Sequence, residues 1–535
     1  MKRGHCKNLE ELTRTVKEGA VLPNSKMLDT RDRFIHHIKK FHMDSGTHVD
    51  INSDGIILMS AHQPNFFAYS GVIRKATLIH AVAEGLRNRV NCPVTELFCF
   101  ADQDFADERW FRSAQLPSVK SKGGVLDLNL EVSKEYKNKT MFSVPRPAED
   151  EIEKIKAEIQ RWAFDSKNSV MYQCSSLGLQ VPEIALDLSS VFDIIDKSYE
   201  RSTNMADFNA FFLANVVKDF GYETVFARFS ECQHVFFNEV LTMLENLELY
   251  SKLMTESYGK ESKVNTPIWY HCKCNGKADV VIKKLSEQTI VAKCRSCGTT
   301  HEFRGEIKTA LEQMLPNISL RAEPMLIAFS GIGVSFYVGG AGGAEYLEAA
   351  KKVAHGLGMP FPVVAIWRPR DIYAGVGQLD AALELLRINS EYNLVKESEP
   401  CNVNAISGEL SRIISNVDDA ITSLNVIKAD IVKMKADGRK ERIRFIVDMQ
   451  NKLKMMCDRN KMARDLSITQ NVQKTLELMP SIIDYAVNIG LKSTGNQWLD
   501  ALKNNIDFES DICLKTDDAT DALFGMLLET SVNGC

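Results

Sequence analysis

The sequence predicts an α/β protein with a mainly parallel sheet, and three observations lead to that fold class. Short apolar segments with the length of buried strands alternate with helical segments, which indicates β-α-β crossovers and therefore parallel strands. Polar and reactive residues follow two of these strands, at 62–64 and 102–104. A glycine-rich turn at 339–343 joins a later strand to a helix.

Composition narrows the class of protein further. The chain has 535 residues, of which 44% are hydrophobic and 25% charged, so it is long enough for two to four domains. Its net charge of −5 argues against nucleic-acid binding along a phosphate backbone. The absence of a long apolar run argues against a membrane span. The 13 cysteines are mostly scattered singly, and the N-terminal residues lack the apolar core of a secretory signal, so we expect a cytoplasmic protein.

The predicted elements follow an N-terminal region of two amphipathic helical segments, Glu10–Lys17 and Asp32–Phe41. Apolar runs predict strands at 55–60, 94–101, 223–229, 324–329, 334–338 and 361–367. Helical periodicity and helix-start signals predict helices at 70–85, 147–162, 207–219, 237–250 and 344–357.

The first two strands end in a candidate small-molecule site. His62 and Gln63 come at the end of the first strand, and Asp102 and Asp104 stand just past the second. Because carboxyl ends of neighbouring parallel strands open on one crevice, we expect these groups to lie together. Asp102 and Asp104, two apart, would face the same way in an extended segment. We predict His62, Asp102 and Asp104 as catalytic groups and Gln63 as a binding group; structural hydrogen bonds and helix capping are the alternatives.

Basic residues also fall near this crevice. Arg74 and Lys75 lie on the helix after the first strand, and Arg368 and Arg370 follow the last one. We predict that Arg370 binds a carboxylate or phosphate, with a surface salt bridge as the alternative.

The glycine-rich turn, in YVGGAGGAEYL, is a second candidate ligand site. Glycine permits positive φ and close approach of a ligand to the backbone, and free amides at a helix start attract anions. We therefore predict that a substrate or nucleotide binds at Gly340, Gly342, Gly343 and Glu345. The spacing matches neither a Walker loop nor the dinucleotide fingerprint, so a tight turn without a ligand remains the alternative.

Four cysteines form two short knuckles separated by 19 residues, and they are Cys272, Cys274, Cys294 and Cys297. Two knuckles joined by a β-hairpin are typical of a zinc ribbon, and four thiolates suit tetrahedral Zn(II). With all four positions filled by protein, the predicted zinc is structural. The first knuckle has one residue between its cysteines instead of two, so His271 or His301 is an alternative ligand. Unmetallated thiols and a redox dithiol are the remaining alternatives, the first favoured over the second.

After about residue 400 the pattern becomes wholly helical. Apolar residues step by three and four over about four heptads, at Ile406, Leu410, Ile413, Val417, Ala420, Leu424, Ile427, Ile431 and Met434. A turn signal at Asp437-Gly438 and a second seam over 446–456 predict an antiparallel coiled-coil hairpin. Its exposed stripe predicts a homodimer contact, with an intramolecular strut as the alternative.

Three of these blocks resemble the bacillithiol synthase family of cysteine-adding enzymes (BshC-like). They are AHQPNFFAYSG, LFCFADQDFADE, and YVGGAGGAEYL followed by GMPFPVVAIWRPR. The order of the blocks and the helical arm agree with the family, over about residues 50–480. Ala101 and Gln103 depart from an acidic residue and a histidine in the family's acidic motif, and Asn65 stands where a glycine is usual. The ribbon is not part of the usual pattern, so the chain resembles a divergent member whose substrate differs.

The resemblance implies a nucleotidyltransferase-like Rossmann core and a coiled-coil arm that promotes dimers. It also implies a carbon–nitrogen ligase that adds cysteine to an amino sugar linked to malate, so the expected partners are cysteine and an amino-sugar conjugate. By motif position it assigns His62, Gln63, Asp102 and Asp104 to the site, together with the glycine block. Forming an amide from a carboxylate requires activation, for which ATP is the expected cosubstrate.

The predicted organisation has five parts. Residues 1–265 hold N-terminal helices and the first part of the core, 266–305 the inserted zinc ribbon, 306–400 the rest of the core, 401–480 the helical hairpin and 481–535 C-terminal helices. A core of this kind with a ribbon and a helical arm also fits a class I synthetase-like protein that binds nucleotide or RNA, or a non-catalytic scaffold. The chain lacks a clear HIGH or KMSKS pair, which weakens that alternative.

Overall fold

The computed structural model describes residues 8–51, 53–258, 266–283, 289–367, 375–394, 403–433, 439–456, 458–504, 508–509 and 513–514. The strands are β1 (Ile56–His62), β2 (Val94–Phe100), β3 (Ser113–Pro117), β4 (Val125–Asn129), β5 (Val225–Arg228), β6 (Ile268–His271), β7 (Lys277–Lys283), β8 (Thr289–Cys294), β9 (Thr300–Arg304), β10 (Ile318–Leu320), β11 (Val334–Gly340), β12 (Val363–Trp367), β13 (Phe508–Glu509) and β14 (Cys513–Leu514).

The helices before the second half of the core are α1 (Leu9–Glu18), α2 (Ser25–Ser45), α3 (Ser70–Arg87), α4 (Arg109–Arg112), α5 (Glu149–Ser176), α6 (Leu188–Arg201), α7 (Met205–Asp219), α8 (Phe229–Cys232), α9 (Phe237–Glu245) and α10 (Leu247–Tyr258). Those that follow are α11 (Ile307–Met314), α12 (Ala322–Ala328), α13 (Ala344–Gly356), α14 (Val376–Tyr392), α15 (Val403–Lys433), α16 (Arg439–Met456), α17 (Arg459–Glu477), α18 (Ile482–Ile489) and α19 (Leu491–Asn504). Among these described helices, none combines the length and the apolar character needed to cross a bilayer.

A parallel sheet with the order β12-β11-β1-β2-β5 forms the centre of the protein, and β14 and β13 extend it beyond β12. Counted along the chain, the five parallel strands have the spatial order 3-2-1-4-5, the order of doubly wound Rossmann-type sheets. The strand order therefore reverses between β1 and β11. In such sheets ligands bind outside the carboxyl ends of the two strands at this switch point. The predicted α/β class with a parallel sheet is confirmed.

Both faces of the sheet are covered, as the near-continuous apolar strands require. Ile56 and Leu58 of β1 belong to one cluster with α1, α3 and α19. Ile57 and Met59, the alternate residues, belong to the opposite cluster with α2, α9, α12 and α13. Period-two alternation thus packs one strand into two cores.

Arg31 of α2 joins the two switch-point strands at the end opposite to the site. It is 2% exposed, and its guanidinium donates to the carbonyl oxygens of Ser53, Gly55, Ile332 and Gly333. These carbonyls lie just before β1 and β11, so a single side chain fixes where both strands begin. Burial lowers the pKa of Arg31 to about 10, which still leaves it charged at neutral pH.

The cysteine-containing segment lies in a five-stranded antiparallel sheet with the order β10-β6-β7-β8-β9. Its edge strand β10 lies beyond residue 305, where the ribbon was predicted to end. Ile268, Tyr270 and Val280 of this sheet share a hydrophobic cluster with Phe229 and Phe329 of the core. The module is therefore packed into the body of the protein.

The apolar residues of the first predicted hairpin helix pack only partly against the second helix. Asn425 of α15 accepts a hydrogen bond from Gln450 of α16 at 2.8 Å, so the two helices do contact each other. Ile406 and Leu410, at the start of α15, are instead buried with side chains of α14 and α17. The Asp437-Gly438 turn lies outside the described residues.

The prediction of a strand at 324–329 is wrong, because residues 324–328 form most of the helix α12. Pro324 occupies the first turn of that helix, where a backbone N–H is not needed for helical hydrogen bonds. Its residues Pro324–Ala328 are all buried, and a short, fully buried helix has the same continuous apolar pattern as a buried strand.

Replacing Arg31 by Met should lower the free energy of unfolding by about 3 kcal/mol, because four buried carbonyl groups lose their donor. Urea titration measures the change. Arg33→Met on the same helix removes an exposed pair with Asp29 and should change the stability by less than about 0.5 kcal/mol. Equal effects of the two substitutions would contradict the clamp role of Arg31.

Candidate functional site

The switch point brings together the end of β1, the end of β11 and the start of α3. His62 is the last residue of β1, and Gly340 is the last residue of β11. Lys75, one turn into α3, lies against this pair: its Nζ is 3.7 Å from the position of a Cβ placed on Gly340. Proximity of Lys75 also contributes to lowering the pKa of His62. The predicted histidine and glycine turn thus share one edge of the sheet.

Lys75 is a buried cation, 6% exposed. No ion pair or hydrogen bond links it to another of the described residues. Burial lowers the pKa of Lys75 to about 8, so it remains mostly charged at neutral pH. A buried, unpaired ammonium group is costly, and an anionic ligand would remove that cost.

His62 is held in one tautomer by its own backbone. Its Nδ1 lies 3.1 Å from the carbonyl oxygen of Gln63, which can only accept, so Nδ1 carries the proton and Nε2 is left as an acceptor. Burial, with a smaller contribution from Lys75, lowers the pKa of His62 to about 3. A neutral His62 therefore serves better as a hydrogen-bonding group than as a base at neutral pH, and its catalytic role stays a prediction.

Two of the four glycines in the turn, Gly339 and Gly343, are required for space, and none of the four has φ in the left-handed region. A Cβ on Gly339 would lie 2.5 Å from Leu347, and one on Gly343 would lie 2.5 Å from the hydroxyl of Tyr346. A Cβ on Gly340 would make an ordinary van der Waals contact with Lys75, 3.6 Å from its Cε, and one on Gly342 would meet open space. The turn therefore packs tightly where the backbone amides of α13 begin. Glu345, in the first turn of α13, is exposed.

The two aspartates do not act as a pair. The carboxylate of Asp104 accepts a hydrogen bond of 2.7 Å from the side-chain amide of Gln63, which connects it to the turn after β1. Asp102 is buried and accepts from the backbone N–H and the hydroxyl of Ser230 at the start of α8. Burial raises the pKa of Asp102 to about 6, against the opposing hydrogen bonds from Ser230. The expectation that both carboxylates face the same way is wrong, because residues 102–107 turn and do not continue the strand.

Of the basic residues near the crevice, Arg370 and Arg368 lie outside the described residues. Arg74 stacks over the ring of Trp498, with its guanidinium carbon 4.6 Å from the ring centre. Of the two cations on α3, it is thus Lys75 that lies against the glycine turn.

A cavity of about 400 Å³ lies past the carboxyl end of β2, and Asp104 in its lining is hydrogen-bonded to Gln63, which follows β1. Asp104 and Phe105 form one wall, and Lys277 and Trp269 of the antiparallel sheet form another. The sequence interpretation missed Lys277 and the cavity, because Lys277 reaches Asp104 only through folding of the module onto the core. Its position three residues after Cys274 was the only local signal.

The four cysteines form a cluster that fits a metal ion. Their sulfur atoms lie within 4.8 Å of one another, and the pairs Cys272–Cys297 and Cys274–Cys294 are each 3.6 Å apart. Two thiolates at about 2.3 Å from one tetrahedral ion would be about 3.8 Å apart, close to these distances. Nε2 of His301 lies 3.3 Å from Sγ of Cys272, whereas Nε2 of His271 is hydrogen-bonded to the hydroxyl of Ser319.

Gly276 provides the space that this cluster needs. A Cβ at this position would lie 2.9 Å from Sγ of Cys294 and 3.2 Å from Sγ of Cys274. The backbone turn of the knuckle, in which Cys272 N–H donates to the Gly276 carbonyl, therefore requires glycine here.

Comparisons with known proteins assign no family. No protein-family model and no curated protein matches the chain. A solved structure of arginyl-tRNA synthetase from Thermus thermophilus aligns over 87% of this chain and 83% of that one, at 10% identity and a TM-score of 0.22. That score is too low to carry an argument, so the fold rests on the observed strand order.

Protein purified without chelators should contain about one metal ion per chain, measured by mass spectrometry of the metal content. Cys294→Ser should lose the ion and lower the free energy of unfolding by several kcal/mol, because metal binding contributes directly to the folding of such modules. Cys92→Ser, outside the cluster, is the matched control and should retain the metal. A wild-type protein without metal would show that the thiols are free.

Proposed function

We propose that this protein is a carbon–nitrogen ligase that activates a carboxylate at the switch point of its parallel sheet. The single observation that carries the proposal is Lys75, a buried cation without a counter-ion among the described residues, set between the ends of β1 and β11. A phosphate or carboxylate is the ligand that such a group lacks.

The reaction class follows from the resemblance to the bacillithiol synthases, which implies addition of cysteine to the amine of a sugar–malate conjugate. Amide formation needs an activated acyl group, and we propose ATP as its source. The cysteine carboxylate would take a phosphoryl or adenylyl group, releasing ADP or pyrophosphate. The amine would then attack the acyl carbon, lose a proton and expel phosphate or AMP.

The position, charge and hydrogen bonds of each residue suit it to one part of this reaction. Lys75 and the amides at the start of α13 are suited to hold the transferring anion, since both present positive charge at one edge. His62, neutral and with a free Nε2 acceptor, is suited to orient a donor group of the ligand. Asp104, held by Gln63, is suited to receive the ammonium group of the acceptor and its proton.

The metal of the cysteine cluster is proposed to be zinc, because four thiolates at these distances suit tetrahedral Zn(II). When bound, zinc would supply folding energy to the module and no chemistry to the reaction.

The reaction is tested by metabolite analysis of cells that lack the protein. An amine precursor should accumulate, and the purified enzyme should consume it with cysteine and ATP. Lys75→Met should lower kcat/KM by roughly 100-fold, because it removes the charge that faces the anion. Lys492→Met, at an exposed position, is the control and should leave turnover unchanged. Unchanged turnover in Lys75→Met would remove the basis of the proposal.

We also propose that the helical arm mediates a homodimer. Val426 and Ile427 of α15 and Phe445 and Met449 of α16 are exposed, which is unusual for four large apolar side chains on two packed helices. A second copy would cover them.

Phe445→Asp should convert a dimer to a monomer in sedimentation velocity, because it places a charge in the apolar stripe. Phe164→Asp, at an exposed aromatic side chain on α5, should leave the sedimentation coefficient unchanged. A wild-type protein that sediments as a monomer at all concentrations would contradict the dimer.

A further inference from the structure

The cavity beside the switch point has a positive wall. Lys277 is 3% exposed, and its Nζ lies 3.6 Å from Asp104 Oδ1 and 4.5 Å from the ring centre of Phe105. Arg321 and Arg295 stand next to it, both over the ring of Trp269. An ammonium group can donate three hydrogen bonds, and this one has a single, long ion pair among the described residues.

Two of the three cations are largely buried. Lys277 and Arg321 line the cavity and are 3% and 14% exposed, whereas Arg295 is 43% exposed and is solvated. Arg321 shares Asp279 with Arg295, and Lys277 has a 3.6 Å pair with Asp104, which is itself 38% exposed. A ligand carboxylate would add negative charge beside these two largely buried cations.

The lining of the cavity also holds an acidic residue. Glu323 accepts a hydrogen bond from the hydroxyl of Tyr258, and both residues line the cavity. A carboxylate has about four lone-pair positions, so Glu323 can also accept from a ligand ammonium. Met254 and Met325 supply apolar surface to the same lining.

The aromatic lining does not itself form a cage for an organic cation. Trp269 carries Arg321 at 3.6 Å and Arg295 at 4.5 Å from its ring centre, so protein guanidinium groups already occupy positions over the ring. Recognition in this cavity must therefore depend on its charged groups.

We propose that this cavity binds a free α-amino acid, with the carboxylate at Lys277 and Arg321 and the ammonium group at Glu323. For the proposed ligase, this cavity would be the site that binds cysteine. The choice of cysteine rests on the proposed function. The location supports it, since Gln63 joins Asp104 on the cavity wall to the turn after His62.

The cysteine module holds the proposed carboxylate anchor in place. The backbone N–H of Lys277 donates to the carbonyl of Asn138, and that of Thr140 donates to the carbonyl of Asn275 in the knuckle. The same core segment bonds to the loop after β2, since Met141 N–H donates to the carbonyl of Asp104. The knuckle, Lys277 and Asp104 are therefore one connected unit, which gives the module a part in ligand binding.

Calorimetric titration with the twenty standard amino acids, without ATP or acceptor, tests the inference on the full chain. At least one of them, cysteine first, should bind. For cysteine, the amine without the carboxylate (cysteamine) and the acid without the amine (3-mercaptopropionate) should each bind at least 10-fold more weakly. Lys277→Met and Glu323→Gln should each raise the Kd at least 10-fold. Lys293→Met, on an exposed face of the same sheet, should leave it within twofold.

The outcomes separate this inference from the proposed function. Binding of cysteine that Lys277→Met and Glu323→Gln leave unchanged would overturn the cavity assignment and leave the ligase standing. Binding of a different amino acid, weakened by both substitutions, would support the cavity and refute cysteine as the substrate. No binding by any amino acid would overturn the inference. If Lys277→Met loses its metal or fold, Glu323→Gln carries the test.

Discussion

The pairing of β1 with β11 is the interaction on which the site depends. Ser60 and Val338 are partners in this pair, and the hydroxyl of Ser60 donates to the Val338 carbonyl at 2.7 Å. The two strands are separated by more than 270 residues, so joining them closes a very long loop. Their shared register sets the end of β1 beside the end of β11, and Arg31 fixes their other ends. Without this pair the edge that holds His62, Lys75 and Gly340 would not exist.

One buried lysine lies at that edge and a second lines the neighbouring cavity. Lys75 comes from the first crossover helix and Lys277 from the antiparallel module, and burial lowers the pKa of each to about 8. Among the described residues Lys75 has no ion pair, and Lys277 has one, a 3.6 Å pair with Asp104. In an apolar interior such charges are costly unless a ligand neutralises them, which is why function and not stability accounts best for their presence.

The cysteine module is packed against the part of the core that holds the candidate site. It shares a hydrophobic cluster with the core, and its first knuckle is bonded to the segment that supports Asp104. A metal in this cluster would therefore act at a distance, by holding Lys277 in position and not by touching substrate.

The sequence by itself determined the features that depend on local chemistry: the five buried parallel strands, the placement of His62 and Gln63 at a strand end, the glycine turn before α13 and the two cysteine knuckles. Each is specified by residues close together in the chain. Tertiary structure alone decided which aspartate meets the cavity, because the path of the chain beyond β2 sets the direction of Asp102 and Asp104. It also decided that 324–328 belongs to a helix, since the five residues are all buried and a continuous apolar run lacks the periodicity that separates helix from strand. The position of Lys277 opposite Asp104 was likewise beyond the sequence, because contacts between residues more than 170 positions apart depend on how whole elements pack.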